Sequence, residues 1–409
     1  CPPKWATYLS TMMQIIYFML VTSSVFGAKF SCNYESAVNT FKKPTYDFSV
    51  RLLDRVAQET GYHFVFSPLS TWLQLMTLAE GARGSTENEI RKVTRYHRMK
   101  CFRRKYREVI NGIDEELAYM SKRTNVIVID KLLDVKDSYK NEVKRMNDTK
   151  ILSLNFNDPE NAAAKTNEVI EMDMDGVIKE GLHAEDFNLA VLLMTETAYF
   201  KSDWRTSFNP VYTSTETFYS EENVAIGKVR MMTQTGYFNV TNVPFIDAEV
   251  LELPFNTDGR ISMMVFLPTK GTVKNLLYHL KNIRLMTIFR LFENEGEKLV
   301  NVKLPRFQIK TDVVNMPELV HDMGVKRIFS PELADFSGIS DYKMFTSLMR
   351  QTADIEITEN GATARAMAEF LIVGSNEEFI VNKPFAYLIA DRKTDVILFG
   401  GIYSNPSIY

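Results

Sequence analysis

From Glu359 the chain reads Glu-Asn-Gly-Ala-Thr-Ala-Arg-Ala-Met-Ala, which puts alanine at Ala362, Ala364, Ala366 and Ala368. Two residues is the period of a β-strand, so the four alanines share one face. Thr363, Arg365, Met367 and Glu369 share the other. A strand of this kind can lie against a packed core without displacing it. Alanine is nonetheless a poor strand former and a good helix former. The segment fits a sheet without being driven into one, and a segment with two homes points to a switch.

The chain has 409 residues and ordinary apolar and charged fractions, enough for a large core in one large domain or two smaller ones. No low-complexity linker and no internal repeat divides residues 28–409. The formal net charge of −3 by itself points to neither nucleic acid nor membrane. The N-terminal region 1–27 reads as a signal peptide. No charge occurs from Trp5 to Ala28, residues 12–21 form a short apolar run, and Val25 and Gly27 are placed for cleavage before Ala28. A membrane anchor is the competing reading, but the dense apolar part is short for a span of about 20 residues. Because residue 1 is Cys, residues 1–11 are read as preceding a start at Met12 or Met13. A secreted, extracellular protein is expected. After cleavage only Cys32 and Cys101 remain, and they have the option of pairing. Asn147-Asp-Thr and Asn239-Val-Thr are sequons that fit glycosylation.

Helical periodicity marks 46–60, 68–82, 85–97, 100–120 and 160–180. In the fourth, Phe102, Tyr106, Val109, Ile110, Ile113 and Leu117 form one stripe. Strand-like runs follow at 125–129, 191–200, 248–253, 261–267, 299–309, 379–381, 387–390 and 396–399. Helices lead and strands dominate the second half, so the class is α+β rather than alternating βαβ.

A series of blocks then resembles the serpin family. They are Phe64-Val-Phe-Ser-Pro-Leu-Ser70, Glu80-Gly-Ala-Arg-Gly-Ser-Thr86, Ala198-Tyr-Phe-Lys-Ser-Asp-Trp204 with Phe208, Val229-Arg-Met-Met232, Leu253-Pro-Phe255 and Ser262-Met-Met-Val-Phe-Leu-Pro268. Leu304-Pro-Arg-Phe307, Ala334-Asp-Phe-Ser-Gly-Ile339, Asn382-Lys-Pro-Phe385, Leu398-Phe-Gly400 and Pro406 complete the order. The resemblance covers residues 45–409. It implies a single domain over residues 28–409, with three β-sheets, about nine helices and an exposed reactive loop at about 359–381. It further implies suicide inhibition: a protease acylates itself on the loop, the loop enters the central sheet as an extra strand, and the trapped protease is distorted. The partner is then a target protease bound covalently, and the inhibitor is expected to be a monomer. An inserted loop from a second molecule would polymerise it.

Insertion requires a loop free of proline with small inward residues. No proline occurs between Gly361 and Pro384, and the inward residues are the four alanines. Gly361 supplies hinge freedom. Two departures stand out: Ala362 replaces the usual Thr or Ser, and Arg365 replaces the usual Ala. At the sheet-opening region, where the family commonly has two Asn and a His, this chain has His63, Glu196 and Gln351, while Ser67 and Ser70 keep their hydroxyls. These polar groups are expected to bond one another or nearby backbone. At the breach, the resemblance implies a pair between Glu359, which begins the hinge, and Arg306, beside Trp204.

Counting forward from Gly361 by the family spacing places the reactive bond at Ser375-Asn376; counting back from Pro384 gives Val373-Gly374. The forward count is favoured, because it sets how far the protease is carried. No Arg or Lys occurs from Phe370 to Val381, which disfavours a trypsin-like target. Phe370-Leu-Ile-Val-Gly-Ser375 suits elastase-like serine or papain-like cysteine proteases. A second feature is the run Arg91, Lys92, Arg95, Arg98, Lys100, Arg103, Arg104, Lys105 and Arg107, with no acid among them. By resemblance it covers the helix that binds heparin-like glycosaminoglycan in some serpins; a solvated face is the ordinary reading. Among five His and three Cys there is no nucleophile elbow, HExxH, Walker loop or CxxC, so no enzyme, metal or cofactor is expected. The alternative function is a non-inhibitory serpin acting as a binding, carrier or storage protein.

Overall fold

In the computed structural model, residues 32–146, 149–179, 181–360 and 377–409 are described. The chain opens with helix α1 (Tyr34–Glu59), capped by Asn33, whose side chain accepts from the Ser36 N–H at 2.8 Å. The periodic run beginning at 46 is therefore the second half of a longer helix. Pro44 sits inside α1. The missing backbone bond there costs about 3 kcal/mol, which burial of Ala37, Val38, Phe41 and Phe48 offsets. A short strand β1 (Phe64–Phe66) leads into α2 (Pro68–Gly81), in which every residue except Glu80 is buried. Such a helix belongs in the middle of a protein. Next come α3 (Gly84–Thr94), ended by Arg95 at φ 56°, and α4 (Lys100–Leu117), whose apolar stripe is buried as its spacing predicts. Cys32 and Cys101 form a disulfide that ties the start of α1 to the first turn of α4.

The remaining elements are β2 (Ser121–Asp130), α5 (Asp137–Val143), β3 (Thr149–Leu154), α6 (Pro159–Asp173), β4 (Leu192–Lys201), β5 (Ser214–Tyr219), β6 (Ala225–Val243), β7 (Ala248–Pro254) and β8 (Ile261–Pro268). They continue with α7 (Val273–Leu280), α8 (Leu285–Glu295), β9 (Lys298–Val313), α9 (Met316–Met323), β10 (Thr346–Ile357), β11 (Glu377–Ile380), β12 (Phe385–Asp391) and β13 (Val396–Tyr403). Nine helices and thirteen strands are thus present among the described residues, and the α+β class holds.

The strands form one hydrogen-bonded network that divides into three pairing groups, because two long strands each serve two groups. β9 pairs β6 through Lys298–Arg306 and then β10 through Phe307–Val313. β6 pairs β5 and β9 first and β7 later. The first group runs β9–β10–β4–β2–β3, the second β5–β6–β9–β11, and the third β6–β7–β8–β12–β13–β1. α2 packs between the first and third groups, which is why both of its sides are apolar.

In the third group, Gly401 pairs with Val65. A Cβ there would meet the Phe64 carbonyl oxygen at 2.1 Å, and main chain cannot turn aside as a side chain can. Gly401→Ala should therefore cost about 3 kcal/mol and lower the melting temperature by several degrees. Gly61→Ala is the control: its Cβ meets nothing within 4 Å, but φ is +65°, so about 1 kcal/mol is expected. Equal losses in the two variants would contradict this account.

Candidate functional site

The site is the seam between β4 and β10 and the chain that leaves its end. These two strands run parallel, paired from Thr346↔Leu192 to Glu356↔Lys201 with one register shift between Thr346 and Leu348. Their outer neighbours, β2 and β9, are antiparallel to them. Because the pair is parallel, both strands end on the same side, at Lys201 and Ile357. Chain leaving β10 and folding back beside it would run antiparallel to β10 and to β4 at once. The seam therefore has the polarity to receive one further strand from residues that directly follow β10. Those residues, including Gly361, Ala362, Ala364, Ala366, Ala368, Val373, Gly374, Ser375 and Asn376, lie outside the described set. The chain resumes as β11 alongside β9.

The middle of the seam is polar. Gln351 and Glu196 face each other in register and are both buried. The Gln351 amide nitrogen donates to Glu196 Oε2 at 2.9 Å, the Ser67 carbonyl at 3.0 Å and Thr71 Oγ1 at 3.2 Å. Its oxygen accepts from the Ser67 N–H at 2.7 Å. Ser67 Oγ donates to the Leu398 carbonyl at 2.8 Å and lies 2.9 Å from Ser70 Oγ. One glutamine thus ties β10 to β4 and to the first turn of α2, and Ser67 ties α2 to β13. His63 stands apart from this pair. Its Nδ1 accepts from the N–H groups of Ser404 and Asn405 at 3.2 and 3.1 Å, and burial pushes its pKa down, keeping it a neutral acceptor.

At the end of the seam, Glu359 is buried and accepts from Thr213 Oγ1 at 2.8 Å and from Arg306 at 3.4 Å. Trp204 stacks on Phe255 with ring centroids 4.5 Å apart. Its indole N–H donates to the Thr358 carbonyl at 2.7 Å, and its backbone N–H to the Asn360 carbonyl at 2.9 Å. The Phe208 N–H donates to the Glu359 carbonyl at 3.0 Å. Trp204 is therefore both core and anchor for the chain that leaves β10.

A clasp absent from the sequence reading lies one turn of strand below. Glu356 on β10 accepts from Tyr199 Oη at 2.9 Å and Lys201 Nζ at 2.8 Å, both on β4. Tyr409 also bonds Glu356 and lies under the Arg306 guanidinium, 5.1 Å from ring centre to Cζ. The signal was readable only once β4 and β10 were paired, because Tyr199 and Lys201 alternate along one strand and Glu356 meets them from another.

The basic run does not form one surface. Arg91 and Arg107 are buried, and Arg103 nearly so. Arg91 binds Glu87, Arg103 binds Glu80 at 3.0 Å, and Arg107 binds Glu80 at 3.2 Å and Glu142 at 2.8 Å. These three are corrected from the polyanion set: linear charge spacing says nothing about which face of α3 or α4 packs inward. Lys92, Arg95, Arg98, Lys100 and Arg104 are exposed, and Lys105 is half-buried, 2.7 Å from Glu108. Of the sequons, Asn147 lies outside the described residues. The Asn239 amide nitrogen, the atom that would carry a sugar, donates at 2.8 Å to buried Glu252. A sugar there would replace one of the two amide hydrogens and leave the other to donate.

Burial disfavours the Glu356 carboxylate, but hydrogen bonds from Lys201, Tyr409 and Tyr199 outweigh it and hold its pKa below the ordinary 4.5. A depressed carboxylate pKa stabilises the fold above the unfolded value, and that stabilisation is lost as pH falls through the folded value. Glu356→Gln should melt below the native chain at neutral pH, and the gap should close as pH drops below about 4.5. A gap that stays constant with pH would rule out the charged clasp. Gln351→Ala leaves the Ser67 N–H without its acceptor and should cost about 2–3 kcal/mol; an unchanged melting curve would show that the seam does not depend on it.

Comparison with known proteins places these features in context. The sequence profile described as "Serpin (serine protease inhibitor)" matches residues 43–406. Human Serpin B4 is 27% identical, over 90% of this chain and 100% of its own. The fold is similar to that of uncleaved ovalbumin, with a TM-score of 0.79, 23% identity and coverage of 88% and 98% of the two chains. It is likewise similar to native protease nexin-1 with heparin, with a TM-score of 0.78, 22% identity and coverage of 90% and 99%.

Proposed function

The chain belongs to the serpin family, and from that premise we propose that it is a suicide-substrate inhibitor of an elastase-like serine or papain-like cysteine protease. The observation that carries the reading is the parallel β4–β10 pair, whose two strands end where the alanine segment begins. A strand inserted there replaces one parallel ladder with two antiparallel ones, and antiparallel pairing is slightly stronger per residue. It also buries the alanine face against the core. The protease attacks the loop, the acyl bond forms, and insertion carries the enzyme away before water can release it. Small inward residues and the lack of proline support insertion; Ala362 and Arg365 are the features that would slow it.

The protein is further read as secreted, a single domain over residues 28–409. The Cys32–Cys101 disulfide fits an oxidising compartment. The exposed cations Lys92, Arg95, Arg98, Lys100 and Arg104 suit a heparin-like chain, and protease nexin-1 is a relative of known structure with heparin. The carrier or storage reading is favoured only by the two departures in the hinge.

A panel of elastase-like and papain-like proteases should give a complex that survives SDS, with cleavage at Ser375-Asn376 by mass spectrometry. Ala366→Pro should abolish the complex while the loop is still cut, because proline removes a ladder bond. Cleavage of the native loop without any complex across the panel would favour the carrier reading. Cleavage at Val373-Gly374 would move the reactive bond.

A further inference from the structure

Residues 404–409 follow β13 and cross all three pairing groups. The N–H groups of Ser404 and Asn405 donate to His63 Nδ1, and Ser404 Oγ donates to the Tyr62 carbonyl at 2.8 Å, which roots the stretch beside β1. Pro406 packs on Gly227 of β6, where a Cβ would come within 2.5 Å of its ring, so a side chain there would push the ring away. The Ser407 N–H donates to Tyr403 Oη at 3.1 Å. Tyr409 then reaches the open end of the β4–β10 seam. Its hydroxyl is one of three donors to Glu356, and the other two, Tyr199 Oη and Lys201 Nζ, come from β4. Burial and the Glu356 carboxylate push the Tyr409 pKa up to about 12, so it stays a donor. Its ring lies under Arg306, 5.1 Å from centroid to Cζ. That contact matters to Arg306, whose bond to Glu359 is 3.4 Å, long for a charge-assisted one, and whose buried Nε has no hydrogen-bond partner among the described residues.

We propose that Tyr409 is a positioning residue for loop insertion: it aims the Glu356 carboxylate across the seam and Arg306 at Glu359, and so sets how readily β4 and β10 part. It acts through Glu356, which carries the bonds to β4. A carboxylate already held by a fixed donor loses less freedom when it takes two more, so its bonds to Tyr199 and Lys201 are stronger for being prepared. Without the hydroxyl, Glu356 is free to swing with the exposed Lys201 side chain, and the pair no longer fixes the distance between the strands. The mount is firm because its roots lie outside both seam strands, at His63, Gly227 and Tyr403. The consequence for insertion rests on the inhibitory reading, but the hold on the seam is measurable without any protease.

Hydrogen–deuterium exchange of the full chain reads seam opening directly. In Tyr409→Ala, the amides of β4 and β10 that pair across the seam should exchange about tenfold faster, as loss of one hydrogen bond to a charged group implies. Tyr409→Phe keeps the ring under Arg306 and loses only the hydroxyl, so a smaller acceleration of roughly threefold is expected. Ile408→Ala alters an exposed neighbour and should change nothing. The β12–β13 ladder should exchange at the native rate in all three variants. With a protease that the native chain traps, Tyr409→Ala should consume fewer inhibitor molecules per trapped enzyme, because insertion then outruns release of the cleaved loop. Unchanged seam exchange in Tyr409→Ala overturns the proposal. Equal acceleration in the β12–β13 ladder also overturns it, since that is a general loss of packing. Faster seam exchange with no protease trapped by any chain, native or variant, upholds the hold of Tyr409 on the seam and counts against the inhibitory reading alone.

Discussion

The parallel ladder between β4 and β10 carries the rest of the functional end of the molecule. Parallel pairing is slightly weaker per residue than antiparallel pairing, and here it is the interior joint of a sheet whose adjoining joints are antiparallel. Its centre holds Gln351 and Glu196 where a tight apolar seam would hold aliphatic residues. Polar partners must all be satisfied to be tolerated in such a place. The structure satisfies Gln351 by drawing in Ser67 and Thr71 from the buried helix α2. Parting the seam therefore disturbs α2 as well, and through Ser67 the strand β13. The joint that is chemically easiest to part is also the one wired to the centre of the molecule.

Three ties resist that parting at the open end. Glu356 crosses from β10 to two residues of β4, Glu359 is held by Thr213 and Arg306, and Trp204 grips the carbonyls of Thr358 and Asn360. One neighbour works against them. Burial pushes the Asp354 pKa up despite the Gln308 amide 3.1 Å away. Ionising that group thus lowers stability as pH rises from the unfolded value through the folded one. The balance is what a sheet needs if it is to hold closed and still yield once: each tie is a hydrogen bond worth about 1 kcal/mol net, whereas an added strand contributes a whole ladder.

Much of this was legible in sequence for physical reasons that differ by element. The α4 stripe from Phe102 to Leu117 was readable because one face of that helix is wet. β10 was not, because both of its faces are buried and alternation vanishes. Helix α1 reads as 46–60 by its periodicity, whereas it starts at Tyr34 with Asn33 as its cap and Pro44 inside it. The Glu359–Arg306 contact came from resemblance, and the two residues do meet. The Glu356 clasp came from neither, since it depends on strand register. Arg91 and Arg107 were misplaced on the surface because charge counted along a chain carries no direction, and Glu80, a single carboxylate on an otherwise buried helix, was the clue that something cationic had to face it.

The account stands on the seam opening to accept the chain that follows β10. The most direct measurement is a crystal structure of the loop-cleaved protein. The prediction is that β4 and β10 are no longer neighbours, with Glu196 and Gln351 apart. Residues following Glu359 should lie between them, antiparallel to both, with Ala362, Ala364, Ala366 and Ala368 facing the core. A cleaved protein in which the Thr346↔Leu192 to Glu356↔Lys201 register is intact would contradict it.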